Sequence, residues 1–197
     1  MATQALLFDP PRGIVVVTDD AAALEETAAR LADGTGHEER VSVLTAYAQD
    51  AADAGATVVL VWQDGFEPFG LWIQLTRISG IGLARAFVHG EIDGWVGALS
   101  APLVGTGVEW FSPASDPHGD PRWSAVFADD ELFVNLTLRA ASFSELVARR
   151  ALVENAVLPS LVISEDAAPW SSDETLTAGV IVAPEHWPQL SSTREEP

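Results

Sequence analysis

A chain of 197 residues with 48% hydrophobic and 20% charged residues has ample apolar material for a folded core, which speaks against intrinsic disorder. Twenty-nine acids against ten bases give a formal charge of −19, which speaks against electrostatic binding to nucleic acid or to an anionic membrane surface and favours a basic partner. No stretch approaches the roughly 18 to 20 apolar residues of a bilayer span, and without cysteine there are no disulfides, thiolate nucleophiles or thiolate metal ligands.

All ten bases are arginine. The lack of lysine beside abundant alanine is the coding bias expected of a GC-rich bacterial genome. Residues 1–11 show no basic stretch ahead of an apolar one, so a cytoplasmic protein is expected. The acids are spread along the chain, and such a diffuse negative surface fits ordinary solubility, salt adaptation or capture of a cationic partner.

In chain order, the β-branched run Ile14-Val15-Val16-Val17 predicts a buried strand. Asp19 or Asp20 caps an Ala-rich helix to about Ala32, with Leu24, Ala28 and Leu31 on one face and acids in its first turn. Ser42 opens a second helix carrying Leu44, Tyr47, Ala48 and Ala51, which Gly55 ends. Thr57 to Trp62 and the alternating run Leu71 to Ile78 read as an antiparallel hairpin. Ile81 to His89 reads as a short helix, and the segment through Trp95 and Leu99 as strand-like.

Residues Thr106 to Arg122 hold Pro113, Pro117, Pro121 and Gly119 among Ser and Asp, which is loop chemistry. Trp123 to Ala128 and Leu132 to Leu138 then flank the acidic turn Asp129-Asp130-Glu131, a second hairpin with Leu132, Val134, Leu136 and Leu138 facing the core. Ser142 caps a helix closed by Pro159, Leu161 to Ile163 is strand-like, and Thr175 to Val182 is expected to be a last strand. The fold class that follows is α/β of the α+β type, a mixed, mainly antiparallel sheet with hairpins and helices packed on it. Residues 1–188 are expected to form one domain followed by a frayed tail at 189–197. The alternative is a split near Pro113 to Pro121.

Motifs for catalysis are sparse. Ser79-Gly80-Ile81-Gly82-Leu83-Ala84 is a partial match to the glycine turn of dinucleotide-binding short-chain dehydrogenases, but the upstream glycine is missing and a lysine-free chain cannot supply Tyr-x-x-x-Lys. It reads as a tight turn where backbone passes close. Asp116, His118 and Asp120 place an imidazole between carboxylates, a set that a hard or borderline cation could use, in a segment whose Pro and Gly are equally those of a turn. No Gly-x-Ser-x-Gly elbow is present, His37, His89, His118 and His186 are scattered, and adjacent carboxylates do not converge as a glycosidase pair must. Asn135-Leu136-Thr137 fits a glycosylation acceptor that a cytoplasmic chain would not use.

Seven tryptophans are the one compositional oddity, since large aromatics anchor interfaces as well as cores. Trp62, Trp72 and Trp95 lie in apolar runs and are expected to pack. Trp110, Trp170 and Trp187 lie in polar or Pro-rich surroundings and are the candidate partner contacts, together with Asp129, Asp130 and Glu131. The expectation is a non-enzymatic, cofactor-free module that binds a basic protein, as an inhibitor, immunity factor or chaperone-like adaptor would. The alternatives are a small-ligand protein or enzyme with a site assembled from distant residues, and a structural or assembly protein.

Overall fold

The computed structural model of the protein describes residues 3–18, 20–31, 36–63, 67–91, 96–112, 120–165 and 168–177. Its strands are β1 (Gln4–Leu7), β2 (Ile14–Val17), β3 (Thr57–Val61), β4 (Phe69–Arg77), β5 (Val96–Ala101), β6 (Gly105–Ser112), β7 (Arg122–Ala128), β8 (Leu132–Arg139), β9 (Leu161–Glu165) and β10 (Ala168–Trp170). Its α-helices are α1 (Ala21–Arg30), α2 (His37–Ala54), α3 (Ile81–Glu91) and α4 (Phe143–Leu152). Seven strands form one sheet in the order β2-β3-β4-β8-β7-β6-β5, and β1-β9-β10 form a smaller one. Every ladder is antiparallel. The expected α+β arrangement, helices packed on an antiparallel sheet, is the fold.

The two faces of the large sheet have different coverings. Its inner face, with Val61, Leu71, Leu136, Trp123 and Phe127, packs against Leu146 of α4, the following turn at Val153 and Val157, and Leu161 and Ile163 of β9. Its outer face carries α1 and α2 at one side, where Leu24, Ala28, Leu44 and Ala51 meet Val58, Leu60 and Trp62. At the other side it carries α3, where Ala84 and Val88 meet Val108, Trp110, Val126 and Phe133. Each fully buried aliphatic or aromatic side chain of this kind contributes roughly 1.5 to 3 kcal/mol.

Local chemistry explains most element ends. Asp20 accepts the Ala22 N–H at 2.9 Å and starts α1, Ser142 accepts the Glu145 N–H at 3.3 Å and starts α4, and Gly55 ends α2 in the left-handed region. The first turn of α1 holds no acid, contrary to expectation, because Glu25 and Glu26 fall one turn later. Helix α2 begins at His37 instead of Ser42, with Glu38 and Glu39 at its positive end. Arg40, buried there, donates from Nε to the Ala28 carbonyl of α1 at 2.7 Å.

Two further expectations are corrected. Thr106 to Ser112, read as loop, is most of β6, which pairs with both β5 and β7. The prolines and Gly119 that suggested a loop follow the strand in sequence, and the strand's own glycines have positional roles: Gly105 turns the chain at φ 102°, and a Cβ on Gly107 would sit 2.4 Å from the Val126 carbonyl oxygen. Glu109 inside the strand is 1% exposed. It accepts hydrogen bonds from Trp123 Nε1 at 2.6 Å and from Arg150 of α4 at 3.0 and 2.7 Å, so the buried charge is answered on the spot. The expected last strand at Thr175 to Val182 starts instead within a 3-10 turn, Glu174–Thr177, and its remainder lies outside the described residues. The strands β1 and β10 had no sequence forecast. No helix of the described residues is long and apolar enough to cross a membrane.

Candidate functional site

Along β3 and β7 nearly every side chain is buried, because these strands have helices over one face and the inner core against the other. The strands between them, β4 and β8, alternate instead. Leu71 and Ile73 of β4 and Leu132, Val134, Leu136 and Leu138 of β8 face inward at no more than 1% exposure, while Trp72, Gln74, Thr76, Asn135, Thr137 and Arg139 point outward. The register aligns them in rows. Gln74 stands beside Asn135, Trp72 beside Thr137, and Arg139 beside Arg122 of β7.

These outward rows floor a cleft between α2 and α3. Its larger part has a volume of about 400 Å³ and is lined by Asp50 and Ala54 of α2, Trp72, Gln74, Asn135, Thr137 and the two arginines. A second depression of about 280 Å³ continues toward α3, sharing Gln74 and Asn135 and adding Ile78, Leu83, Phe87 and Phe133. Volumes of this size are typical of ligand-binding clefts. Gln74 ties the floor to one wall through Nε2 and the Ala54 carbonyl, 3.3 Å apart, and Arg122 ties it to the other through Glu91, at 3.0 Å.

Chemically the cleft changes along its length. One end carries Arg122 and Arg139, cross-strand partners that both line the cleft. The middle carries amides, a hydroxyl and the face of Trp72, which packs at 6.5 Å from Tyr47. The far lip is apolar, with Leu83 54% and Phe87 39% exposed and Phe87 edge-on to Phe133 at 5.0 Å. In the middle, Asn135 Oδ1 is buried and has no hydrogen-bond partner, a costly state for an acceptor unless something else completes it. Burial pushes the Tyr47 phenol above its ordinary range, against the charge of Arg149 and a hydrogen bond with the Gly70 backbone.

The residues singled out in the sequence lie elsewhere. Trp110 is 2% exposed in the core under α3, where its Nε1 has no partner. Trp170 is 6% exposed, and its Nε1 donates to Asp129 Oδ2 at 2.6 Å. The other carboxylate oxygen of Asp129 accepts from the Glu131 and Leu132 N–H groups at 2.8 and 2.7 Å. Asp130 accepts from the Ile81 N–H at 3.1 Å, capping α3. Glu131 is exposed, 3.8 Å from Arg77. The acidic turn therefore spends two of its three carboxylates on holding the hairpin, the small sheet and α3 together, and none of its residues lines the cleft. Trp187, Asp116 and His118 lie outside the described residues.

The glycine turn at Ser79-Gly80 is the entry to α3, with Gly80 at φ 94°. No atom lies within 4 Å of where its Cβ would stand, so glycine serves the dihedral and not a close approach. Among the described residues, no group of three or more His, Asp and Glu side chains could hold a metal ion. Sequence reasoning passed over the cleft because it followed only the core-facing half of each alternation. The signal was the complementary half: Trp72, Gln74 and Thr76 against Asn135, Thr137 and Arg139. The arrangement supplies hydrogen bonds, guanidinium charge and apolar surface, which is the chemistry of recognition. No protein-family model, no curated protein and no solved structure matches the chain.

Proposed function

We propose that this protein is a non-enzymatic binding module whose cleft between α2 and α3 receives a polypeptide segment of a partner protein. The observation that carries this reading is the open floor across β4 and β8. It combines side-chain amides suited to main-chain groups with an apolar lip at Leu83 and Phe87, exposed by 54% and 39%. The formal charge of −19 would steer a basic protein toward this surface and make association sensitive to salt. An inhibitor, an immunity factor or a chaperone-like adaptor has these requirements. The volume of about 400 Å³ also favours a second reading, a small ligand held by the arginines and Trp72.

Capture from native lysate at low and moderate salt, with the wild-type chain and the Leu83→Asp variant as parallel baits, tests the first reading. The expected result is a basic protein held by the wild type, released as salt rises and absent from the variant, whose circular dichroism stays unchanged. Identical proteins on both baits would overturn the placement of the site.

A further inference from the structure

The cleft holds two features that suit an incoming ligand. Arg122 and Arg139 are direct cross-strand partners on the outer face, and like charges in that position repel. Both belong to a chain with only ten bases and a formal charge of −19, and Glu91 answers Arg122 at 3.0 Å. Two arginines paired across neighbouring strands and lining one cleft, Arg122 half-buried and Arg139 exposed, bring guanidinium donors of the kind that match a carboxylate. The second feature is the buried, partnerless Asn135 Oδ1. Asn135, Thr137 and Arg139 succeed one another on the same face of β8, so the acceptor and the arginine backbone lie about 13 Å apart along the strand. The long arginine side chain shortens that span.

We propose that the cleft captures the C-terminal end of the partner polypeptide, a deepening that rests on the polypeptide reading above. The terminal carboxylate sits on Arg122 and Arg139, and a main-chain N–H of the last residues donates to Asn135 Oδ1. The preceding side chains run past Gln74 onto Leu83 and Phe87. A free anion such as phosphate brings no N–H for Asn135, and an acidic side chain holds its carboxylate away from the main chain. A C-terminus brings an N–H and a carboxylate within one residue of each other, with apolar side chains upstream. Glu91 and Asp50 are the acids facing the same space, and they favour a positive charge on the segment away from its terminus.

The test uses the full chain and two probe sets: random heptapeptides anchored by their N-termini with free carboxylates, and the same library amidated at the C-terminus. Peptides selected from the free-carboxylate set are expected to lose at least about tenfold in affinity on amidation. Arg139→Gln and Asn135→Leu should each cause a comparable loss of affinity for them, with the far-ultraviolet spectrum retained. Selected peptides that bind equally well when amidated, yet are lost on Leu83→Asp, would overturn the carboxylate assignment and leave polypeptide docking intact. Amidated peptides selected for an internal Asp or Glu and lost on Arg139→Gln would also overturn it, assigning the arginines to a side chain. Selection of nothing from either set would overturn the carboxylate assignment and the polypeptide reading together.

Discussion

On β8 the inward residues Leu132, Val134, Leu136 and Leu138 are each no more than 1% exposed, while Asn135, Thr137 and Arg139 between and beyond them look into an open cleft. The two faces of one strand thus serve different ends. The inner face is closed by α4 and the small sheet, and the buried carboxylate Glu109 within it is bonded at both oxygens. The outer face is closed at both sides and left open over β4 and β8, where a buried acceptor goes unpaired. The unpaired Asn135 acceptor opens on a cleft, where an incoming donor can complete it, whereas the unpaired Trp110 Nε1 lies in the core under α3.

Substitutions can break or sharpen that contrast. The largest effect is expected from Glu109→Ala, which takes two hydrogen bonds and the buried counter-charge from the Arg150 guanidinium, leaving it Glu154, and removes the acceptor of the Trp123 N–H. Loss of one partner from a buried pair costs about 3 to 5 kcal/mol, readable as a lower urea midpoint. Burial lowers the affinity of Arg150 for its proton, but hydrogen bonds and charge from Glu109 outweigh it and hold the guanidinium above its ordinary range. Without Glu109, Glu154 at the edge of the site still pairs with Arg150 but no longer shares the compensation of its burial. Next, Leu136→Ala should cost about 2 to 5 kcal/mol through lost contact and a residual cavity; a loss below about 1 kcal/mol would mean that the inner face is not the tightly packed one.

On the outer face the effect on stability shrinks. Asn135→Leu removes an acceptor that the fold leaves unpaired, so stability should move by less than about 1 kcal/mol in either direction. Binding in the cleft should nevertheless be lost. A large drop in the urea midpoint for this variant would erase the distinction between the faces. The smallest effect is a pH dependence. Because the folded state raises the Tyr47 phenol, it holds that proton more tightly than the unfolded chain does. The corresponding stability is complete below the ordinary tyrosine value of about 10 and declines as pH rises past it. Tyr47→Phe should flatten the alkaline limb of a plot of melting temperature against pH.

Much of this organisation was legible in the sequence. The hairpin from β7 to β8, the caps at Asp20 and Ser142, and the Gly55 terminus were readable because each depends on side chains within a few residues of the backbone groups they satisfy. The outward residues of β4 and β8 were just as visible in the alternation but carried no label, since polar residues on a strand ordinarily face water. Strand β6 was illegible because Pro113, Pro117, Gly119 and Pro121 follow it closely in the chain and gave the whole segment loop chemistry, while Gly107 and Glu109 gain their roles only once Val126, Trp123 and Arg150 are placed around them. The candidate contacts Trp170, Asp129 and Asp130 looked available for the same reason: the partners they satisfy, Asp129 for the indole and the Ile81 N–H for Asp130, are distant in sequence or hidden in the backbone.

By itself the sequence determined the element types, the antiparallel hairpins, the identity of the inward leucines and the negative charge, all of which follow from local periodicity, capping and composition. Tertiary structure alone decided that β4 lies beside β8, which sets Gln74 against Asn135 and closes a floor from strands far apart in the chain. It decided that Arg122 and Arg139 share a row, and that α2 and α3 stop short of each other above them. Strand order is a choice among distant pairings made by the summed burial of all the faces, and no short window of residues contains it.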